Sequence, residues 1–170
     1  MNLNQATEIA ERIRAELAPF CDRIEIAGSI RRRKPEVGDI EIVAIPKRVM
    51  LPADLFTGVA HNHLKFCELV NRWPAVKGKS TGKYTQRRLP EGINLDLFMA
   101  DPENWGLIFA IRTGSAEFSH KVLATVWIRA GYHSMAGMLY KDGHKIPVRE
   151  ERDLFDMIGI VWQEPWERNL

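Results

Sequence analysis

Apolar positions open the chain at helical spacing: Ala6, Ile9, Ala10, Ile13 and Leu17 form one stripe over Asn4–Leu17, and Pro19 marks its end. The period then changes. Arg23–Ala27 predicts a short strand with Ile24 and Ile26 facing one way, running into a Gly28-Ser29 turn and the basic run Arg31-Arg32-Arg33-Lys34. Asp39–Ile45 alternates, with Asp39, Glu41 and Val43 on one face and Ile40, Ile42 and Ala44 on the other. Period two over that length means a strand, ended by Pro46. Helical spacing returns at Leu64, Cys67, Val70 and Trp73, predicting a helix over His61–Trp73. Lys77–Lys83 reads as a loop or irregular hairpin leading into Tyr84–Leu89, and Pro90-Glu91-Gly92 as a turn. Ile93–Met99 predicts another strand, with Asn94, Asp96 and Phe98 on one face and Leu95 and Leu97 on the other.

Beyond Asp101-Pro102 the character shifts. Asn104–Ile111 predicts a short apolar helix closed by Thr113-Gly114-Ser115. Glu117–Ala130 predicts an amphipathic helix with Phe118, Val122, Leu123 and Val126 inward and Gly131 as its stop. Met138–Tyr140 and Lys145–Val148 flank Asp142-Gly143, a strong hairpin turn, and Glu151–Ile158 is a last helix ended by Gly159. The plausible seam lies near Asp101–Asn104, between a mixed αβ half and a smaller C-terminal half.

Composition narrows the class. The 170 residues carry 24 Lys plus Arg against 22 Asp plus Glu, a net charge of +2, and 45% are apolar, so the chain suits one domain or two subdomains sharing a core. The longest apolar runs, such as Ile42–Pro46 and Gly106–Ile111, fall far short of a bilayer span, and Met1 leads into a charged segment without secretory character. Cys21 and Cys67 make no disulfide framework and read as small apolar residues, so a reducing cytoplasmic setting is expected. The basic residues are clumped, in Arg31–Lys34 and again in Lys77, Lys79, Lys83, Arg87 and Arg88; this suits a polyanion partner but is equally the pattern of a solvated surface.

The sharpest chemistry is Gly28-Ser29, a basic loop, then Asp39-Ile40-Glu41 inside an apolar strand. Residues i and i+2 of a strand point the same way, about 6.5–7 Å apart. Two carboxylates so placed repel unless a cation lies between them, and hard oxygens suit Mg²⁺ or Mn²⁺. Gly28-Ser29 would let a phosphate approach the backbone, with the Ser hydroxyl and an Arg as further donors. Taken alone, Asp-Ile-Glu is also the common wet face of a half-exposed antiparallel strand, and Asp96 in Asn-Leu-Asp-Leu-Phe has the same standing. Together, two carboxylate-bearing strands in one sheet can converge on one ion cluster. His61 and His63, two apart, suit surface or helix-start roles, and His144 a solvent-facing turn.

Gly28-Ser29-Ile30-Arg31-Arg32 … Gly38-Asp39-Ile40-Glu41-Ile42 resembles the signature of the DNA polymerase β-like nucleotidyltransferases, family X. Asn94-Leu95-Asp96-Leu97 resembles the strand bearing that family's third carboxylate, and Arg112-Thr113-Gly114-Ser115 its Thr-Gly-Ser turn. Asp153-Leu154-Phe155-Asp156 with Glu164-Pro165-Trp166-Glu167-Arg168 resembles its C-terminal end. The resemblance implies an α+β fold: a nucleotidyltransferase palm over residues 1–100, a mixed β-sheet backed by helices, and a small αβ subdomain over residues 101–170 that closes on the nascent base pair. It implies a DNA-directed DNA polymerase, a nucleotidyltransferase that adds deoxynucleoside triphosphates to a primer 3′-hydroxyl, filling short gaps in DNA repair. Asp39, Glu41 and Asp96 would hold two Mg²⁺ ions (or Mn²⁺) and be the catalytic carboxylates. Gly28, Ser29, Arg32 and Gly38 would lie at the triphosphate, Thr113, Gly114 and Ser115 beside the sugar, and His120 near the base. Partners would be gapped or primer–template DNA, with no membrane, and the protein a monomer.

Some positions depart from the family. Glu41 stands where the polymerases usually have Asp, and Ile111 and Arg112 stand where polymerase β has an aromatic pair screening the 2′-hydroxyl. The family's N-terminal lyase domain and helix-hairpin-helix subdomain have no room before Gly28, so no lyase activity is expected and the basic stretches would supply DNA affinity through phosphate contacts. The same metal site would equally serve transfer to an RNA end, a protein or a small molecule, or template-independent addition, or survive in an inactive nucleic-acid-binding module.

Overall fold

The computed structural model describes residues 1–49, 61–62 and 64–169. Helix α1, Leu3–Leu17, is capped by Asn2, whose side chain accepts from the Gln5 amide at 3.0 Å. It buries Ala6, Ala10, Ile13 and Leu17, four of the five stripe residues. Strand β1, Cys21–Ile26, leads into a single helical turn, α2, Gly28–Arg31, where a simple turn was expected. Strand β2, Asp39–Pro46, pairs antiparallel with β1.

A two-stranded ribbon follows, β3 (Arg48–Val49) with β4 (His61–Asn62), so the next helix, α3, begins at Leu64 and runs only to Val70. The expected helix over His61–Trp73 is thus shorter at both ends; residue 63 lies outside the described residues. Strands β5 (Ala75–Lys77), β6 (Tyr84–Arg88) and β7 (Asn94–Met99) complete a five-stranded sheet in the order β1-β2-β7-β6-β5. Only β2 and β7 run parallel, which makes the sheet mixed.

The two faces of β2 and β7 are covered unequally. Ile40, Ile42, Ala44, Leu95 and Leu97 pack with the α1 stripe and with Phe66, Cys67 and Val70 of α3 in one large apolar cluster. On the other face Val43, Ile45 and Phe98 pack against Trp105 and Phe109 of α4, Trp105–Thr113. That cover stops short of the N-terminal ends of both strands, and Asp39, Glu41 and Asp96 occupy the same face just there.

Helix α4 continues through Arg112 and Thr113, leaving Gly114 and Ser115 as the turn. The amphipathic helix that follows is not a plain α-helix. Phe118–Ala124 is a π-helix continued by α5, Thr125–Arg129. The wide turn shifts the apolar register, so Phe118, Leu123 and Trp127 are buried while Val122 and Val126 are only half-buried. Next comes a three-stranded sheet of β8 (His133–Met135), β9 (Met138–Lys141) and β10 (His144–Ile146), of which β8 has no counterpart in the expected elements. Asp142 and Gly143, at φ 51° and 77°, form the predicted tight turn between β9 and β10. Helix α6, Glu151–Ile158, closes the smaller core with Leu154, Phe155 and Ile158 and ends on left-handed Gly159.

The two halves are tied across their seam. Arg31 forms a bidentate bridge to Glu151 at 2.6 and 2.8 Å, and Glu151 also accepts from Arg168 at 2.7 Å. Arg23 bridges to both Glu150 oxygens at 2.6 and 2.8 Å. Lys83 donates to the Ala136 carbonyl at 2.8 Å. Trp73, Trp105 and Trp127 are core residues, Trp162 packs on Phe155, and Trp166 remains 44% exposed under the Arg33 guanidinium.

Candidate active site

Two parallel strands build the site. In their register Asp39 lies opposite Asn94 and Glu41 opposite Asp96, so the three carboxylates share one face of adjacent strands. The half-exposed antiparallel strand that Asp-Ile-Glu alone would allow is therefore not what forms: β2 is interior to the sheet and its carboxylate end meets β7 in parallel. Asp39 and Glu41 are half-buried and Asp96 is 6% exposed.

Crowding perturbs the acids. Burial chiefly, then Asp39, push the Glu41 carboxyl up to about 7, with Arg32 and Arg112 pulling it back and Asp96 adding to the rise. Burial also raises Asp39, reinforced by the charge of Asp96 and a hydrogen bond between the two. Tyr84 Oη donates to Asp96 Oδ1 at 2.8 Å, and burial followed by this bond pushes the phenol up to about 12. Desolvation lowers Arg32 and Arg112 from the usual guanidinium value, while the carboxylates facing them oppose that.

Gly28 sits directly over Glu41. It holds φ +60°, and a Cβ there would fall 1.8 Å from Glu41 Oε2, so only glycine leaves room for the acid. The adjacent Ser29 Oγ is buried with no hydrogen-bond partner. An orphaned buried hydroxyl costs stability unless something binds it, and here it lies next to Gly28 and Arg32. Gly38 is exposed and has open space around its Cα.

The basic run is divided rather than held as one patch. Arg31 donates to Thr113 Oγ1 at 2.5 Å besides its bridge to Glu151. Arg32 donates to the Thr113 carbonyl at 2.6 Å and to Asn169 Oδ1 at 2.9 Å. Only Arg33 and Lys34 remain exposed. The second stretch is divided too: Arg87 is buried, donating to Thr85 Oγ1 and the Trp73 carbonyl, so it is not available to a polyanion, and Arg88 donates to Asn94.

These bonds draw the Thr113–Ser115 turn to the Gly28–Arg32 turn. Gly114 is closely packed, since a Cβ there would lie 2.6 Å from Phe118 Cδ1. Ser115 Oγ accepts from the Phe118 amide at 3.0 Å, and Ser119 Oγ donates to the Ile111 carbonyl at 2.8 Å. His120 is exposed on the π-helix. Tyr84 and Glu151 were not among the expected site residues. Tyr84 reaches Asp96 only through the β6–β7 register, which a single-strand pattern does not reveal.

Among the described residues, no group of three His, Cys, Asp or Glu side chains is closed into a metal-holding cluster as it stands. The chemistry of the donor set nonetheless fits a divalent ion: three hard-oxygen side chains share one face, with Asp39 and Glu41 raised chiefly by burial and further by a neighbouring carboxylate. No described helix is long and apolar enough to cross a membrane.

Residues 109–169 match the family model described as DNA polymerase beta thumb. The whole chain superposes on Leishmania infantum polymerase beta in a ternary P/T complex, with a TM-score of 0.74 and 18% identity, covering 100% of this chain and 77% of that one. The ternary gap complex of the same protein gives a TM-score of 0.74 and 17% identity, covering 100% of this chain and 71% of that one. No curated protein matches the chain in sequence. The fold is similar to that of polymerase beta: α+β, with a mixed five-stranded sheet backed by helices.

Proposed function

From this fold as premise, we propose that the chain is a family X DNA-directed DNA polymerase that fills short gaps in DNA. The observation that carries the reading is the placement of Asp39 and Glu41 beside Asp96 on parallel strands, next to the unsatisfied hydroxyl of Ser29. Residues 1–100 are the palm in this reading and residues 101–170 the subdomain that closes over it. The neighbours in fold, captured in ternary P/T and gap complexes, support DNA as the partner.

The chain's own groups divide the work of nucleotidyl transfer. Ser29 Oγ and the Arg32 guanidinium donate to triphosphate oxygens, and Gly28 and Gly38 leave those oxygens room to approach. The Thr113–Ser115 turn, anchored by Arg31 and Arg32, sets where the sugar lies, and His120 faces the base. Asp96 orients the primer 3′-hydroxyl and draws off its proton as that oxygen bonds to the α-phosphorus and pyrophosphate departs. Asp39, Glu41 and Asp96 would hold two Mg²⁺ ions, which supply charge neutralisation to the triphosphate when bound.

Asp96→Asn removes one charge with almost no change in shape. It is expected to keep the wild-type circular dichroism spectrum and lower single-nucleotide incorporation on gapped DNA by at least about a thousandfold. Incorporation within about tenfold of wild type would remove Asp96 from the mechanism.

A further inference from the structure

Arg112 lies in the last turn of α4, one residue ahead of Thr113, and its guanidinium carbon lies 4.0 Å from the centre of the Phe98 ring. Phe98 stands two residues beyond Asp96 on β7, on the same face of the sheet. Tyr84 stacks on that ring with centroids 5.1 Å apart, and its hydroxyl is bonded to Asp96. The stack thus brings a cation from α4 to the rim of the three carboxylates. A guanidinium cannot shed its charge, and taking it half out of water is unfavourable unless anions face it. Glu41 and Asp96 are the anions that do so.

We propose that Arg112 is a built-in countercation of the acidic site, which offsets carboxylate repulsion before any ion binds and sets how tightly the first divalent ion is held. The inference rests on the reading of Asp39, Glu41 and Asp96 as metal ligands. A divalent ion and Arg112 draw on the same negative potential, so each weakens the hold of the other. Because Arg112 belongs to α4, arrival of the ion loosens the contact between that helix and Phe98. Ion binding is thereby linked to the position of the C-terminal half. Arg112 acts here through the carboxylates, as a positioning residue.

The test is Mn²⁺ binding to the full chain without nucleotide or DNA, followed by electron paramagnetic resonance, for wild type, R112M, R112Q, R112K and D96N. R112M and R112Q lose the charge and are expected to bind Mn²⁺ on the order of tenfold more tightly. R112K keeps the charge and is expected to stay within about threefold of wild type. R112Q stands in if R112M fails to fold, as judged by its thermal melt. Unchanged or weaker Mn²⁺ binding in a folded, charge-deleted variant, with D96N still losing the ion, overturns the role of Arg112 alone. Wild-type Mn²⁺ binding by D96N removes Asp96 from the metal site, and then this inference and the three-carboxylate metal reading both fall.

Discussion

Ser29 concentrates the residue-scale account in one atom. Its Oγ is buried and unpartnered, so Ser29→Ala removes a cost in the free protein and a donor in the nucleotide complex. The variant is expected to melt at or slightly above the wild-type temperature while binding a nucleoside triphosphate about tenfold more weakly. Calorimetry and a fluorescence titration check the two halves, and a lowered melting temperature with unchanged affinity would contradict both. Gly28, Ser29 and the three carboxylates are legible in the sequence because turn chemistry and period-two spacing are local properties. Arg31 and Arg32 are not, because their partners Thr113, Glu151 and Asn169 lie 81 or more positions away. A basic run reads as a surface patch until those partners are in place.

At the scale of elements, α6 is the hinge of the packing. Glu151 joins Arg31 to Arg168, whose side chain is 0% exposed, and Glu151→Ala would strand that guanidinium without its carboxylate. Leaving a buried charge uncompensated costs about 3–5 kcal/mol, to be read from the denaturant midpoint; a loss under about 1 kcal/mol would show that solvent already reaches Arg168.

The neighbouring Arg23–Glu150 pair is about half exposed, so screening holds its worth below about 1 kcal/mol. Its hydrogen bond from Arg23 lowers the Glu150 carboxyl, which binds its proton less readily folded than unfolded. That contribution is present above the unfolded glutamate value and is lost as pH falls through the folded one. Glu150→Gln is therefore expected to cost more stability at pH 7 than at pH 3, in melts run across that range. An equal cost at both would point to packing. Element types were legible from periodicity, yet the π-helix was not. Phe118 and Leu123 are five apart, a spacing that reads as a slightly irregular α-helix in sequence and becomes a wide turn only when both side chains are buried.

For the whole molecule, the sheet carries two kinds of surface on one face. Val43, Ile45 and Phe98 hold α4, and the uncovered ends of the same strands present the acids. The alternation of β2 was visible in sequence, but where the cover ends is decided by how α4 crosses the sheet. The two basic clumps offer fewer free cations than their length implies: Arg33, Lys34, Lys77, Lys79, Lys83 and Arg88 face solvent, while Arg31 and Arg87 are committed internally. Affinity for DNA in this account is consequently modest and falls with salt.

Extension of a labelled primer across a one-nucleotide gap, with each template base against each deoxynucleotide in Mg²⁺, tests the central claim most directly. The account predicts that the complementary nucleotide is added in each of the four cases, and that an open primer–template is extended more slowly. Addition that ignores the template base, or no addition to any DNA end while the protein still binds nucleoside triphosphates, would contradict it.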